Sequence, residues 1–425
     1  MVRGTARSLA AALTLRSTVV RGLAYEAQLR RIAAREPEVK AFTEPAGDIV
    51  ARVERCDAGL LVAVKDNIAC DGLPPARCGS ELPPEAHAIN AGPEATVVTR
   101  LREAGCVIAG KTRLAEFAAL APPATTNPHN RDFSPGGSSS GSAAAVAAGF
   151  VDAGLGTQTI GSIGRPAAFS GVAALAPTRG RVPRDGVELY SPSIDVVGAF
   201  ARDCPTLRDV SRLIYDGWEE PDPDGGLPPR KLVVLATFSD AVCTTEAKRN
   251  FAQALAYLRD AGFEGTVCAM PTPLLDDFAS LARRHRCLVN SELQQGHAKR
   301  FADHGPLYRP ETAALLRASY DPIIDNGSME ALREELEAAL GAAFAFVAPA
   351  AATVPPLLAE GTTGDPSASL PFAHAGLPSV TLPVGRDHAT NLPVCLQFVG
   401  RAGADEALLQ FAARLEERAF PALSS

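Results

Sequence analysis

The chain has 425 residues, 46% hydrophobic and 21% charged, and a formal net charge of −7. This is the composition of an ordinary globular protein, and the acidic balance leaves no electrostatic footprint for nucleic acid. No apolar run reaches the roughly 18 residues that a membrane span needs, and nine cysteines without a C-x-x-C pair read as free, mostly buried thiols of a reducing, cytoplasmic compartment.

Residues 1–25 carry Arg3, Arg7, Arg16 and Arg21, several Ser and Thr, and no acid before Glu26. That composition suits a transit peptide, but an amphipathic first helix on the surface is the preferred reading. Arginines recurring through the apolar stretch argue against a secretory signal. Tyr25 to Arg35 reads as a helix with Leu29, Ile32 and Ala33 on one face. Leu60 to Val64 is wholly apolar, as a buried central strand is, and it runs directly into Lys65-Asp66-Asn67. A lysine at that point is normally a snorkelling surface residue. The apolar run before it and the turn formers after it favour a functional lysine instead.

Glu94 to Ala104 predicts an amphipathic helix ended by Gly105. Cys106 to Ala109 predicts a short buried strand, and Thr112 the cap of a further helix through Glu116 and Phe117. Strand–helix alternation of this kind predicts a mixed or mainly parallel sheet covered on both faces. Between Ser134 and Ala168, two clusters of glycine and serine flank the apolar segment Ala143 to Gly149. A flexible linker does not need a helix former between its glycines, so the stretch reads as structure. Residues 205–348 are more polar and helical, as over Met329 to Phe346, with a break at Pro221 to Pro229. Ala375 to Val384 and Val394 to Val399 return to strand character. One large domain is expected over 1–425: an N-terminal helical region 1–60, a core 61–204, a variable region 205–348 and a return to the sheet over 349–425.

Three residues stand out chemically: Lys65, Ser138 and Ser162. A serine that attacks a carbonyl must pass its proton to a base. His129 and His374 are the histidines to consider, but neither sits in a comparable motif. A neutral lysine can replace histidine where burial lowers its pKa, and a second serine can relay the proton.

Those residues lie in motifs that resemble the amidase-signature hydrolases over most of the chain. Val62-Ala63-Val64-Lys65-Asp66-Asn67 is similar to the family's lysine motif, Gly136-Gly137-Ser138-Ser139 to its cis-serine turn, and Gly156 to Ala168 to its nucleophile loop. Gly110-Lys111-Thr112, Leu175 to Val182 and the proline-punctuated C-terminal strands add further matches in register. The resemblance implies an α/β amidase-signature fold, a large mixed β-sheet covered by helices on both faces. It implies Ser162 as nucleophile, Ser138 as a relay after a cis peptide bond and Lys65 as general base. The amides of Thr159, Ile160, Gly161 and Ser162 would form an oxyanion hole, with Gly137, Ser139 and Arg165 at the substrate. It implies no metal or cofactor, a small-molecule amide substrate and, as partner, a second copy in a homodimer or a small accessory subunit.

Two departures bear on the substrate. Ile160 stands where the family commonly has glycine or alanine, which would narrow the acyl pocket. Gln158, and Arg165 three residues after Ser162, resemble the malonamidase variant of the motif, in which arginine holds a substrate carboxylate. The bland alternative pairs Arg165 with a structural acid or carbonyl. The expected activity is hydrolysis of a small, carboxylated amide or ureide. The other readings are the amidase component of a tRNA-dependent amidotransferase complex and a non-catalytic scaffold.

Overall fold

The computed structural model describes residues 21–56, 59–221, 231–260, 262, 264–267, 278–320, 327–387 and 389–419. The readings on residues 1–20 and on the break over 222–229 lie outside them.

The strand expected before the lysine forms: β1 is Leu61–Lys65, and all five of its residues are buried. Its side chains alternate between two cores, as a strand covered on both faces requires. Val62 and Val64 join one cluster, with Val97, Val98 and Leu101 of helix α3 (Thr96–Glu103) and Leu207, Val210 and Ile214 of α6 (Cys204–Ile214). Leu61 and Ala63 join the other, with Ile32 of α1 (Arg21–Val39), Ile49 of α2 (Ala46–Val53), the alanines of α4 (Ser140–Ala147) and Ala167 of α5 (Gly164–Ser170). Alanine suits α4 because that helix sits close against β1 and β3 (Ala153–Gln158), where a larger side chain would push it away.

The other strands are β2 (Val107–Thr112), β3 (Ala153–Gln158), β4 (Ala173–Ala176), β5 (Val196–Ala201), β6 (Lys231–Val234), β7 (Glu264–Val267), β8 (Ala345–Pro349), β9 (Ser379–Arg386) and β10 (Pro393–Val399). They form one sheet in the order β2-β1-β3-β5-β4-β9-β10-β8-β6-β7. Pairing is parallel at the two ends, around β1 and around β6, and antiparallel from β3 through β10 to β8. The mixed sheet therefore stands, and the mainly parallel alternative does not. The remaining helices are α7 (Ala236–Val242), α8 (Thr245–Asp260), α9 (Phe278–His304), α10 (Pro310–Arg317), α11 (Ser328–Leu340), α12 (Leu370–Ala375) and α13 (Asp405–Ala419).

Three local expectations fail. Thr112 ends β2 and gives its hydroxyl to a 2.7 Å contact with Ser142 Oγ instead of capping a helix. After it, Phe117 and Ala118 have φ of 49° and 60°, which leaves room only for a single 3₁₀ turn. The helix expected over Met329 to Phe346 stops at Leu340, because Gly341 turns with φ of 54° and the chain enters β8. The strand expected from Ala375 begins at Ser379, after α12 and its left-handed Gly376.

Candidate active site

β1 delivers Lys65 into the sheet's interior with no exposed surface. Its Nζ lies 2.9 Å from Ser138 Oγ, 2.7 Å from Thr157 Oγ1 and 3.3 Å from the Thr157 carbonyl oxygen. No carboxylate is among these partners. Burial is the main cause that brings Lys65 down to about 7, against smaller upward pulls from the charges of Asp195 and Cys78. A buried lysine held by neutral oxygens alone has little to keep it charged.

Ser138 follows a cis peptide bond from Gly137. The turn carrying it has no room for side chains. A Cβ on Gly137 would come within 2.7 Å of Thr363 Cγ2, and Gly136, with φ of 82°, faces the backbone of Pro166. Ser139 Oγ donates to the Thr157 carbonyl at 3.2 Å, and Ser140 Oγ to the Gly136 carbonyl at 2.6 Å. The serines flanking Ser138 thus tie the turn to β3 and to itself. These bonds place Ser139 in the scaffold.

The turn carrying Ser162 runs from the end of β3 into α5. Gln158 Oε1 accepts the amides of Ile163 at 2.9 Å and Gly164 at 3.1 Å. Thr159 Oγ1 donates to Asp195 Oδ1 at 2.5 Å, and Asp195 Oδ2 takes the amides of Tyr190 and Ser191. Burial first, opposed by these hydrogen bonds, raises Asp195 to about 6. Among the described residues, the amides of Thr159, Ile160, Gly161 and Ser162 donate no hydrogen bond, while the next two are taken by Gln158. Four consecutive uncommitted N–H groups suit an incoming oxyanion. Ser162 is partly exposed, and its hydroxyl makes no hydrogen bond among the described residues.

Arg165, on α5, is 5% exposed. It donates to the Gly137 carbonyl at 2.7 Å, the Gly364 carbonyl at 2.8 Å and Thr363 Oγ1 at 3.1 Å. Burial lowers it to about 10, opposed by Asp365. Its ends are thus occupied by backbone and hydroxyl oxygens of the protein, with a loop over residues 361–366 pinned to the cis turn at Gly137.

Further back, Lys111 and Asp66 form a buried ion pair at 3.1 Å, and Asp66 Oδ2 takes the amides of Arg77 and Cys78, both at 3.0 Å. This pair fixes the chain just after Lys65. His129 hydrogen-bonds the Ser170 carbonyl, and His374 lies 3.1 Å from His285 between ring nitrogens. Neither contacts Ser162 or Ser138 through a hydrogen bond. Sequence reasoning missed Thr157, Asp195 and Thr363. Thr157 lies inside the recognised Gly156 to Ala168 motif, where its hydroxyl was a usable signal, whereas Asp195 lies beyond the motif that ends at Val182. Thr363 gave none.

The lysine–serine pair under a cis turn thus lies beside a strip of free amides at the end of a sheet strand. The family profile "Amidase" matches residues 24–409. The A subunit of the glutamyl-tRNA(Gln) amidotransferase from Roseiflexus sp. (strain RS-1) is 33% identical, over 91% of this chain and 90% of its own. Its counterpart from Thermus thermophilus is 32% identical, over 92% of each. Among solved structures, an amidase superposes with a TM-score of 0.79 at 27% identity, over 98% of this chain and 99% of its own. A peptide amidase in complex with the inhibitor chymostatin does so with a TM-score of 0.75 at 28% identity, over 93% of each. The chain belongs to the amidase family and is an amide-bond hydrolase. Among the described residues, no helix is long and apolar enough to cross a membrane.

Proposed function

We propose that this protein hydrolyses a small linear amide through an acyl-enzyme on Ser162. Neutral Lys65 directs its two N–H groups at the Thr157 oxygens, which leaves its lone pair for the Ser138 hydroxyl. Ser138 passes its proton to Lys65 as it takes one from Ser162, and Ser162 Oγ bonds to the substrate carbonyl carbon. The carbonyl oxygen becomes an oxyanion among the amides of Thr159 to Ser162. Collapse expels the amine, which collects the proton from Lys65 through Ser138. Water then repeats the sequence on the ester and releases the acid. The observation that carries this reading is the buried 2.9 Å contact between Lys65 Nζ and Ser138 Oγ, with no carboxylate hydrogen-bonded to the lysine.

The contacts of Arg165 favour a loop clamp over a hook for a substrate carboxylate. The substrate class supported best is therefore a short acyl amide, limited by Ile160 and the 361–366 loop, with charge at its far end not required. Ammonia release from a panel of neutral and carboxylated short amides and ureides tests this, with Ser162→Ala beside the wild type. Turnover that is lost in Ser162→Ala supports the reading, and turnover that survives it sinks the nucleophile assignment.

The reading as the amidase component of a tRNA-dependent amidotransferase is favoured by the 33% identity that spans nine-tenths of both chains. It predicts a protein that is silent on the panel alone and active only with a partner subunit.

A further inference from the structure

Outside the triad, one ligand atom from each of Cys78, His87 and Glu188 lies within 4.8 Å of the others. Cys78 and His87 are buried, and Glu188 is nearly so. The apolar side chains of Ala76, Leu82, Phe117 and Tyr308 pack around this point, where Cys78 Sγ donates to the Asp66 carbonyl at 3.7 Å, His87 Nε2 lies 3.3 Å from Ser80 Oγ and Arg300 donates to Glu188 Oε1 at 2.9 Å. Two imidazole nitrogens here lack a hydrogen-bond partner: His87 Nδ1, and His297 Nε2, which stands 4.0 Å from Glu188 Oε1. An imidazole nitrogen outside any hydrogen bond can present its lone pair to a cation.

We propose that Cys78, His87 and Glu188 form a site for a zinc-class divalent cation, with three protein ligands and one open position. Thiolate, imidazole and carboxylate together are the donor set of zinc. A tetrahedral ion with bonds of about 2.0–2.3 Å sets its ligand atoms roughly 3.3–3.8 Å apart, so the side chains close by about 1 Å. Arg300 and His297 make their closest approach to Glu188 at Oε1, which leaves Oε2 as a ligand.

The site touches the catalytic lysine through two backbone links. The Glu188 amide donates to the Asn67 carbonyl at 2.8 Å, and Asn67 Nδ2 donates to the Glu188 carbonyl at 3.0 Å and to Thr157 Oγ1 at 3.1 Å. Cys78 holds Asp66 through its amide. Occupancy therefore acts on the two residues that follow Lys65.

The test is cobalt titration of full-length protein stripped with a chelator. The wild type is expected to take up one Co²⁺ with a thiolate-to-cobalt charge-transfer band, displaced by Zn²⁺. Cys78→Ser should abolish the band, and His87→Gln should weaken binding at least about tenfold, the low end for loss of a supporting group at a metal site. Should Cys78→Ser fail to fold, His87→Gln and Glu188→Gln carry the same test. A wild type that takes up no cobalt, a band that survives Cys78→Ser, or an unchanged cobalt affinity in His87→Gln and Glu188→Gln overturns the proposal.

Discussion

Thr157 holds Lys65 twice, through Oγ1 at 2.7 Å and through its carbonyl oxygen at 3.3 Å. One residue of β3 thereby decides where the lysine's hydrogens point, and so where its lone pair points. Thr157→Val keeps the shape and the carbonyl and removes the hydroxyl. The expected result is a kcat lower by roughly tenfold, the worth of one buried hydrogen bond of about 1.4 kcal/mol, with KM little changed. Steady-state kinetics on the preferred amide would show it, and an unchanged kcat would remove Thr157 from the machinery.

The pH profile follows from the same burial. Lys65 works as a base only when neutral, so kcat/KM should rise with pH through about 7 and level off above it. The sign for stability is the same. Lys65 falls from an ordinary 10.5 to about 7 on folding, so between those values the unfolded chain binds more protons, and this residue's contribution to stability grows with pH. Lys65→Met should abolish activity and flatten the stability curve over that window. Chemical denaturation at several pH values, wild type against variant, measures the difference.

Arg165→Met removes the link between the cis-serine turn and the 361–366 loop. Activity on neutral and carboxylated amides should fall together, by about 10-fold or more at about 1–3 kcal/mol per stranded buried partner, and thermal stability should fall with it. Selective loss of the carboxylated substrates would restore the anion-hook role.

Gly137→Ala puts a methyl group 2.7 Å from Thr363 Cγ2 and should cost most of the activity. Thr363→Ser removes the offending methyl and keeps the hydroxyl that Arg165 uses, so the double variant should recover part of the loss. If the double variant is no better than Gly137→Ala alone, the close approach of loop and turn is not what the glycine serves.

Much of this was legible because its causes are local. A wholly apolar pentapeptide ending in lysine, and glycine clusters on either side of an alanine helix, announce β1 and the two turns without reference to the rest of the chain. The failures have distant causes. Thr112 stands where a cap for a helix through Glu116 and Phe117 would stand, whereas the fold uses its hydroxyl on Ser142 and lengthens β2 by pairing with β1. Met329 to Phe346 keeps a helical pattern past Leu340, and only docking onto the sheet turns its last residues into β8. The clamp of Arg165 on Thr363 joins positions 198 residues apart, and no period or spacing announces such a contact.

The strand order sets when this enzyme is complete. β9 pairs with β4 and β10 with β8, so the hairpin over 379–399 closes the gap between a first half-sheet ending at β4 and a second ending at β8. Until that hairpin leaves the ribosome, a growing chain carries two open edges with unpaired backbone, each a template for pairing with a stranger. Lys65, Ser138 and Ser162 all precede β4, yet the keystone that seals the sheet around them comes only with β9 and β10.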